Sequence, residues 1–272
     1  MNYQNPYRPQ NFSVLPTVVK NLLIINVLFF IATFIAQQQG VNLMTILGLH
    51  FPLSPLFRPY QIVTYMFMHG DFWHLFFNMF ALWMFGNTLE NLWGPKRFLI
   101  YYMITGIGAA ICHYSVVYFQ MYDSLAALND YIANPSLSAF NNFGLVTVDG
   151  LPITSEKLLG IYSSPEALQQ SVDLIRSYKL MLLNEPLVVG ASGAVFGILL
   201  AFGVLFPNTK LYLYMAIPVK AKWFVLGYGL IELFAGIRGA ASDNVAHFAH
   251  LGGMLFGFIL LKYWQKQKNQ FY

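Results

Sequence analysis

Long apolar runs separated by short polar segments dominate the chain. Five of them, 21–37, 72–89, 98–122, 188–206 and 244–261, are free of charged side chains. Each approaches the ~20 residues that a helix needs to cross a bilayer core of about 30 Å. Continuous runs of this length predict helices rather than strands. A sixth run, 223–237, is apolar except for Glu232, and its apolar stretch extends back towards Leu211. The pattern changes over 121–185. Ser164-Pro165-Glu166 sets a capping residue before a proline suited to a first helical turn. Val172, Leu174, Ile175, Leu180 and Leu183 give the following helix an apolar side. A short helix is expected over 123–134 and a loop or hairpin over 141–152. A connection this long reads as a functional lid or small subdomain, or as a solvated insertion.

Composition and charge turn these runs into spans. Hydrophobic residues make up 57% of the 272 and charged residues 10%, against about 25% charged in an ordinary soluble domain. The mean hydropathy is +0.53. This excludes a disordered chain, a disulfide-stapled module and almost any soluble enzyme. The single cysteine, Cys112, cannot pair within the chain. The net charge of +4 fits cytoplasmic loops better than a nucleic-acid partner. With the N-terminus inside and six spans threaded, Arg8, Lys20, Lys96, Arg97, Lys210, Lys220, Lys222, Lys262, Lys266 and Lys268 face the cytoplasm. Only Arg58 and Arg238 lie in the short outer loops, and both termini come out inside. The 121–185 insertion falls outside and carries three basic residues against seven acidic ones, a net −4. The first 17 residues lack a signal-peptide pattern, so the first run is expected to be a retained span. The expected protein is thus an all-α polytopic membrane protein. It has a cytoplasmic segment 1–18, spans one to three within 19–120, the outer insertion 121–185, spans four to six within 186–263 and a cytoplasmic tail 264–272. A bacterial inner (cytoplasmic) membrane is the expected location.

Polar groups inside such spans are costly and mark function by default. Ser192 stands in Gly190-Ala191-Ser192-Gly193-Ala194 at the start of the fourth span. Small neighbours let a substrate backbone approach the hydroxyl, and the free N–H groups of a helix start suit a developing oxyanion. This is not the G-x-S-x-G elbow of soluble hydrolases, because position 194 is Ala and no strand is expected before it. Packing by small residues is the plain alternative. In the sixth span His250, Gly253 and Gly257 share one helical face. That face has little bulk below the imidazole, so a second helix can bring its own side chain to His250. Histidine is the natural general base for a hydroxyl at neutral pH. His247 lies one turn earlier, and the alternative for this pair is metal ligation or hydrogen-bonded packing. His74 and Asn78, at i and i+4 in the second span, are spaced to clamp an oxyanion. A zinc site of His69, His74, His247 and His250 is disfavoured: no HExxH element occurs and no carboxylate sits at suitable spacing. No metal and no other cofactor is expected. His113 has no obvious partner in the sequence, and Glu232 reads as a carboxyl hydrogen-bonded between helices.

Taken in order, these motifs resemble the rhomboid family of intramembrane serine proteases. His69-x4-His74-x3-Asn78 resembles its second-span signature, and Glu90-Asn91-Leu92-Trp93-Gly94 the acidic cap and glycine that end that span. Gly190-Ala191-Ser192-Gly193 is similar to the nucleophile motif, and Ala249-His250-x-x-Gly253-x3-Gly257 to the sixth-span motif. The resemblance covers 22–261 apart from the insertion. It implies a six-helix bundle that hydrolyses peptide bonds in or near transmembrane segments. Ser192 would be the nucleophile and His250 its general base, in a dyad without a carboxylate; no Asp or Glu is placed in the sequence to orient His250. The resemblance further implies an oxyanion held by the Ser192 N–H with His74 and Asn78. It implies an aromatic ring, here Phe196, stacked on the imidazole, and supporting roles for His69, His247, Gly190, Gly193, Gly253 and Gly257. Two departures stand out. Residues 57–61 read Phe-Arg-Pro-Tyr-Gln where many members carry Trp-Arg, and the insertion exceeds the minimal core. It lies on the side where the site should open and is expected to screen substrates. Transmembrane proteins and the lipid bilayer are the expected partners. The rivals are a rhomboid-like binding protein that does not cut, and a transporter, which predicts inverted repeats that the sequence does not display.

Overall fold

The computed structural model describes residues 13–136, 147–148, 151–152, 165–213, 216–238 and 246–268. The helices are α1 (Thr17–Gln38), α2 (Leu43–Leu47), α3 (Gln61–Thr64), α4 (Phe72–Ala81), α5 (Asn87–Trp93), α6 (Pro95–Ala133), α7 (Pro165–Asn184), α8 (Ser192–Leu205), α9 (Ala221–Arg238) and α10 (His247–Lys268). Short strands β1 (Leu49–His50), β2 (Thr147–Val148), β3 (Leu151–Pro152), β4 (Leu187–Val188), β5 (Lys210–Leu213) and β6 (Ile217–Lys220) lie between them. The chain divides into two compact units. One comprises residues 1–49, 58–113 and 188–272, the other 50–57 and 114–187.

In the first unit each helix start and stop has a chemical cause. Asp71 caps α4, its Oδ1 accepting the His74 N–H at 2.9 Å. A π turn, Leu82–Gly86, joins α4 to α5. Gly94 ends α5 at φ +78, the left-handed conformation that glycine adopts without strain, and Pro95 opens α6. Glu90 is 3% exposed and caps a different helix: its two carboxylate oxygens accept the N–H groups of Val18 and Val19 at 2.9 and 2.8 Å at the start of α1. Gln61 and Thr64 stitch the segment after α1, donating to the carbonyls of Ile46 and Leu47. Arg58 takes part through its backbone N–H, which donates to Gln61 Oε1 at 3.0 Å.

Among the described residues α1 and α6 are long and apolar enough to cross a membrane, with mean hydropathy 2.3 and 1.4. The second and fourth expected spans are shaped differently. The second is helical from Phe72 through Trp93 but interrupted by the π turn. The fourth is a 14-residue helix. The stretch from Leu211 does not extend the fifth: β5 and β6 form an antiparallel hairpin with Lys210 opposite Lys220, and α9 starts only at Ala221. Pro218 within that stretch lacks the N–H an α-helix needs, whereas a two-stranded edge tolerates it. A two-residue strand, β4, does precede the Ser192 segment, against expectation.

In the second unit the expected separate helix over 123–134 is instead the continuation of α6 to Ala133. Its partner is α7, which begins at Pro165; Ser164 lies outside the described residues. Leu128, Tyr131, Val172 and Ile175 form the buried core, with Ile132, Tyr178 and Leu182 against it. The Tyr131 hydroxyl lies 2.7 Å from Ser171 Oγ. Of the five positions expected on the apolar side of α7, Val172, Ile175 and Leu183 are buried while Leu174 and Leu180 are exposed. Within 141–152, Val148 pairs with Leu151 in a β2–β3 hairpin; the remainder of that expected loop lies outside the described residues.

Candidate active site

Four glycines bring α8 and α10 together. A methyl on Gly253 would run into the Gly193 carbonyl oxygen, and one on Gly257 into Tyr101, with the Gly197 Cα 3.4 Å away. Gly193 and Gly197 on α8 thus face Gly253 and Gly257 on α10, and both pairs follow the small-xxx-small spacing of close helix contacts. Tyr101 of α6 fixes this seam from the side, its hydroxyl donating to the Gly197 carbonyl at 2.9 Å.

At one end of this seam stand Ser192, next to Gly193, and His250, one turn before Gly253. Ser192 Oγ lies 2.8 Å from His250 Nε2. Phe196 lies flat on the imidazole, the ring centroids 4.1 Å apart and the planes within 5°. Ser192 is the first residue of α8, so its N–H is among those with no partner inside the helix. Gly190 makes the approach to it possible. It sits at φ +123, where a side chain is strained, and a Cβ there would lie 2.7 Å from His74 Nε2 and 3.7 Å from Ser192 Oγ. Its N–H donates to the Tyr65 carbonyl at 2.9 Å, and the Tyr65 hydroxyl donates to Gly106 of α6 at 2.7 Å. The serine loop is therefore pinned to two other elements, with the His74 ring beside it.

Asn78, one turn beyond His74, is 6% exposed and donates from Nδ2 to the His74 carbonyl at 3.0 Å. One of its two amide hydrogens is thus spent within its own helix. His69 is buried and meets His74 edge-on, with centroids 5.0 Å apart. Burial pushes the His69 imidazole down to about 3, so it is neutral at physiological pH.

On the far side of His250 the geometry corrects a sequence-based expectation. A carboxylate does reach the imidazole. Glu232 Oε2 lies 2.9 Å from His250 Nδ1 and 2.6 Å from His247 Nδ1. Glu232 belongs to α9 and is 6% exposed. It bonds between helices as expected, but its partners are the two histidines, one of them on Ser192. The acid stands fifteen residues before His247, on a different helix, and no spacing rule within one helix connects them. The legible signal was one acid in an apolar helix followed by two histidines in the next. Glu232, His247 and His250 also form a trio whose potential metal-ligand atoms all lie within 4.8 Å of one another. This differs from the four-histidine set considered from the sequence. Bonded nitrogen and oxygen at 2.6 and 2.9 Å are hydrogen-bond spacings; ligands of a tetrahedral zinc at ~2.0–2.1 Å stand about 3.3 Å apart. The trio as arranged fits shared protons.

The sequence comparisons agree with these motifs. Residues 57–149 and 157–266 match the Rhomboid domain family. "Rhomboid protein 1, mitochondrial" of Saccharomyces cerevisiae is 26% identical over 213 residues, 77% of this chain and 44% of that protein. "RHOMBOID-like protein 12, mitochondrial" of Arabidopsis thaliana is 26% identical over 199 residues, 72% of this chain and 44% of that protein. "Rhomboid-like protein 11, chloroplastic" of the same plant is 29% identical over 96 residues, 35% of this chain and 32% of that protein. The chain spans less than half the length of these curated relatives. The family match takes in most of the chain, including Ser192, Glu232 and His250, and the chain belongs to the rhomboid family, whose members are embedded in membranes.

Proposed function

We propose that the protein is an intramembrane serine endopeptidase that cuts transmembrane proteins in or near their spans. The observation that carries this reading is the 2.8 Å contact of Ser192 Oγ with His250 Nε2 beneath a stacked Phe196. Nucleophile and base stand within hydrogen-bond reach, and the base is held by further groups, as nucleophilic catalysis requires. Ser192 attacks the scissile carbonyl while His250 takes its proton. His250 returns that proton to the leaving amine, and water then hydrolyses the acyl-enzyme. The oxyanion is received by the Ser192 N–H with the His74 ring and the remaining Asn78 hydrogen.

In this reading the spans are α1, the α4–α5 run, α6, α8, α9 and α10, with both termini on the basic, cytoplasmic side and the 121–185 insertion outside. A bacterial cytoplasmic membrane suits that orientation. The mitochondrial and chloroplastic relatives carry their own addresses in their names. The 14 residues of α8 reach about 21 Å, short of a core of about 30 Å. With its C-terminal end at the inner face, Ser192 lies below the outer surface, in a recess that water enters from outside. A helical substrate must unwind there, so small or helix-breaking residues near the cut are expected.

The test compares wild type, Ser192→Ala and His250→Ala on a membrane-anchored reporter with a span rich in small residues. Each substitution is expected to lower cleavage by about 10³-fold or more. Cleavage that survives Ser192→Ala refutes the assignment. A wild type that binds but never cuts points to the non-cutting, rhomboid-like role.

A further inference from the structure

We infer that Glu232 is the positioning carboxylate of this site and that His247 in turn holds Glu232, so that Ser192, His250, Glu232 and His247 form one hydrogen-bonded chain across α8, α9 and α10. The inference rests on the protease reading for the role of Ser192, and on its own geometry for the rest. The chain runs at 2.8, 2.9 and 2.6 Å. Its direction is chemically determined. A carboxylate only accepts, so Nδ1 of His250 carries the hydrogen and donates it to Glu232. Nε2 then keeps its lone pair for the Ser192 proton, which is the tautomer a general base needs. When the proton arrives on Nε2, the imidazolium faces a carboxylate already in place. His247 donates its Nδ1 hydrogen to the same Oε2. This second donor fixes the rotamer of Glu232 and shares its charge, so the carboxylate keeps accepting from His250 and does not take its proton.

Packing alone does not call for an acid here. Elsewhere α9 meets α10 through Gly229 against Met254 and Gly236 against Phe248 and the His247 Cβ. Those contacts are apolar, and an ionised group buried in such a seam costs several kcal/mol unless it is paired. Gly236 stands one turn from Glu232 and lets the first turn of α10 come close enough for both imidazoles to reach one oxygen.

The test measures cleavage of the reporter together with the rate at which a fluorophosphonate labels Ser192 in the purified full chain, both as functions of pH. The groups that face His250 are Ser192 of α8, Glu232 of α9, His247 of α10, and at longer range His74 of α4 and His113 of α6. Glu232→Gln keeps the shape and removes the charge. It is expected to lower kcat and the labelling rate by about 10²–10⁴-fold with KM nearly unchanged. The pH profile of the residual activity should differ from that of wild type, because the charge beside the dyad is gone. Glu232→Asp, with the charge on a shorter arm, should fall between Gln and wild type. His247→Ala should lower the rate about tenfold and also alter the pH profile. Wild-type rates in folded Glu232→Gln overturn the inference and leave the protease reading standing, as does an Asp variant no better than Gln. Should Glu232→Gln fail to accumulate as folded protein, His247→Ala decides: an unchanged rate and pH profile overturn the inference. A wild type whose Ser192 labels but cuts no peptide sinks the protease reading alone, and the labelling rates still read the relay. A wild type that neither labels nor cuts overturns both.

Discussion

The two seams that α10 makes differ in kind. Towards α8 it meets backbone with backbone: Gly253 lies on the Gly193 carbonyl, and Gly257 beside Gly197. Towards α9 it is held off by the side chains of Met254 and Phe248, and the space between is filled by Glu232 with His247 and His250. The first seam has no room for a side chain, and it sets the distance from Ser192 to His250. The second has room for polar side chains, and it sets the orientation of the His250 ring. Distance and orientation are thus assigned to different helix pairs. Damage to one should look different from damage to the other.

The largest effect is expected from the tight seam. In Gly253→Ala the new methyl meets the Gly193 carbonyl, a rigid backbone atom beside Ser192. The helices must part, and an ångström of separation at a reacting pair is worth about 10² in rate. Cleavage should fall by at least that factor. Overpacking should also lower stability by about 1–3 kcal/mol, read as thermal unfolding in detergent. Full activity with unchanged stability breaks the assignment of distance to this seam. Gly190→Ala comes next. It strains a residue at φ +123 by about 1–3 kcal/mol and pushes the His74 ring away from Ser192. Losing one oxyanion donor typically lowers kcat by about 10²–10³-fold, and that split between kcat and stability is the outcome expected here.

A smaller effect separates stacking from distance. Phe196 touches both seams, lying on His250 and 5.3 Å from the Tyr228 ring of α9. Phe196→Leu keeps bulk and removes the flat surface, worth about 0.5–1.5 kcal/mol. Cleavage should drop about tenfold with Ser192 still labelled, while Phe196→Tyr stays close to wild type. Equal activity of Leu and Phe at this position removes the stack from the positioning machinery.

The tight seam was legible in the sequence and the polar one was not. Gly253 and Gly257 announce a bare helical face by spacing alone, and the motif around Ser192 supplies its counterpart. Glu232 was visible as an acid in an apolar run, but its target depends on how α9 rotates about its axis. Gly236 against Phe248 sets that rotation, and such a contact exists only after the helices have packed. The same limit explains the elements. Apolar length marked the runs, yet it carries no trace of the π turn at Leu82–Gly86, which keeps the helix going while changing its register. The uncharged third run stops before Asp123, and a separate short helix is expected from the sequence over 123–134. The helix continues because Leu125, Ala126, Ala127 and Leu128 favour it, and because Leu128 and Tyr131 are buried against Val172 and Ile175 of α7.

The smallest effect probes the tight seam two turns from His250. Tyr101→Phe removes a hydroxyl that donates to the Gly197 carbonyl. That oxygen keeps its helical partner, so no orphan acceptor is left and the loss should be about 1 kcal/mol. The same hydroxyl is what a methyl on Gly257 would strike; the next atoms, Tyr101 Cζ and Gly197 Cα, stand 3.2 and 3.4 Å from that methyl. Gly257→Ala should therefore be clearly destabilising alone and milder in the Tyr101→Phe background. The expected coupling is about 1–2 kcal/mol, read by thermal unfolding across the four proteins of the cycle. Gly257 stands seven residues from His250, about 10 Å along the helix. The folded double variant should therefore cleave within about twofold of wild type. A large loss of cleavage there, with stability restored, means that the lower half of the seam also sets the Ser192–His250 distance and that the division of labour between the seams is not confined to Gly193 and Gly253.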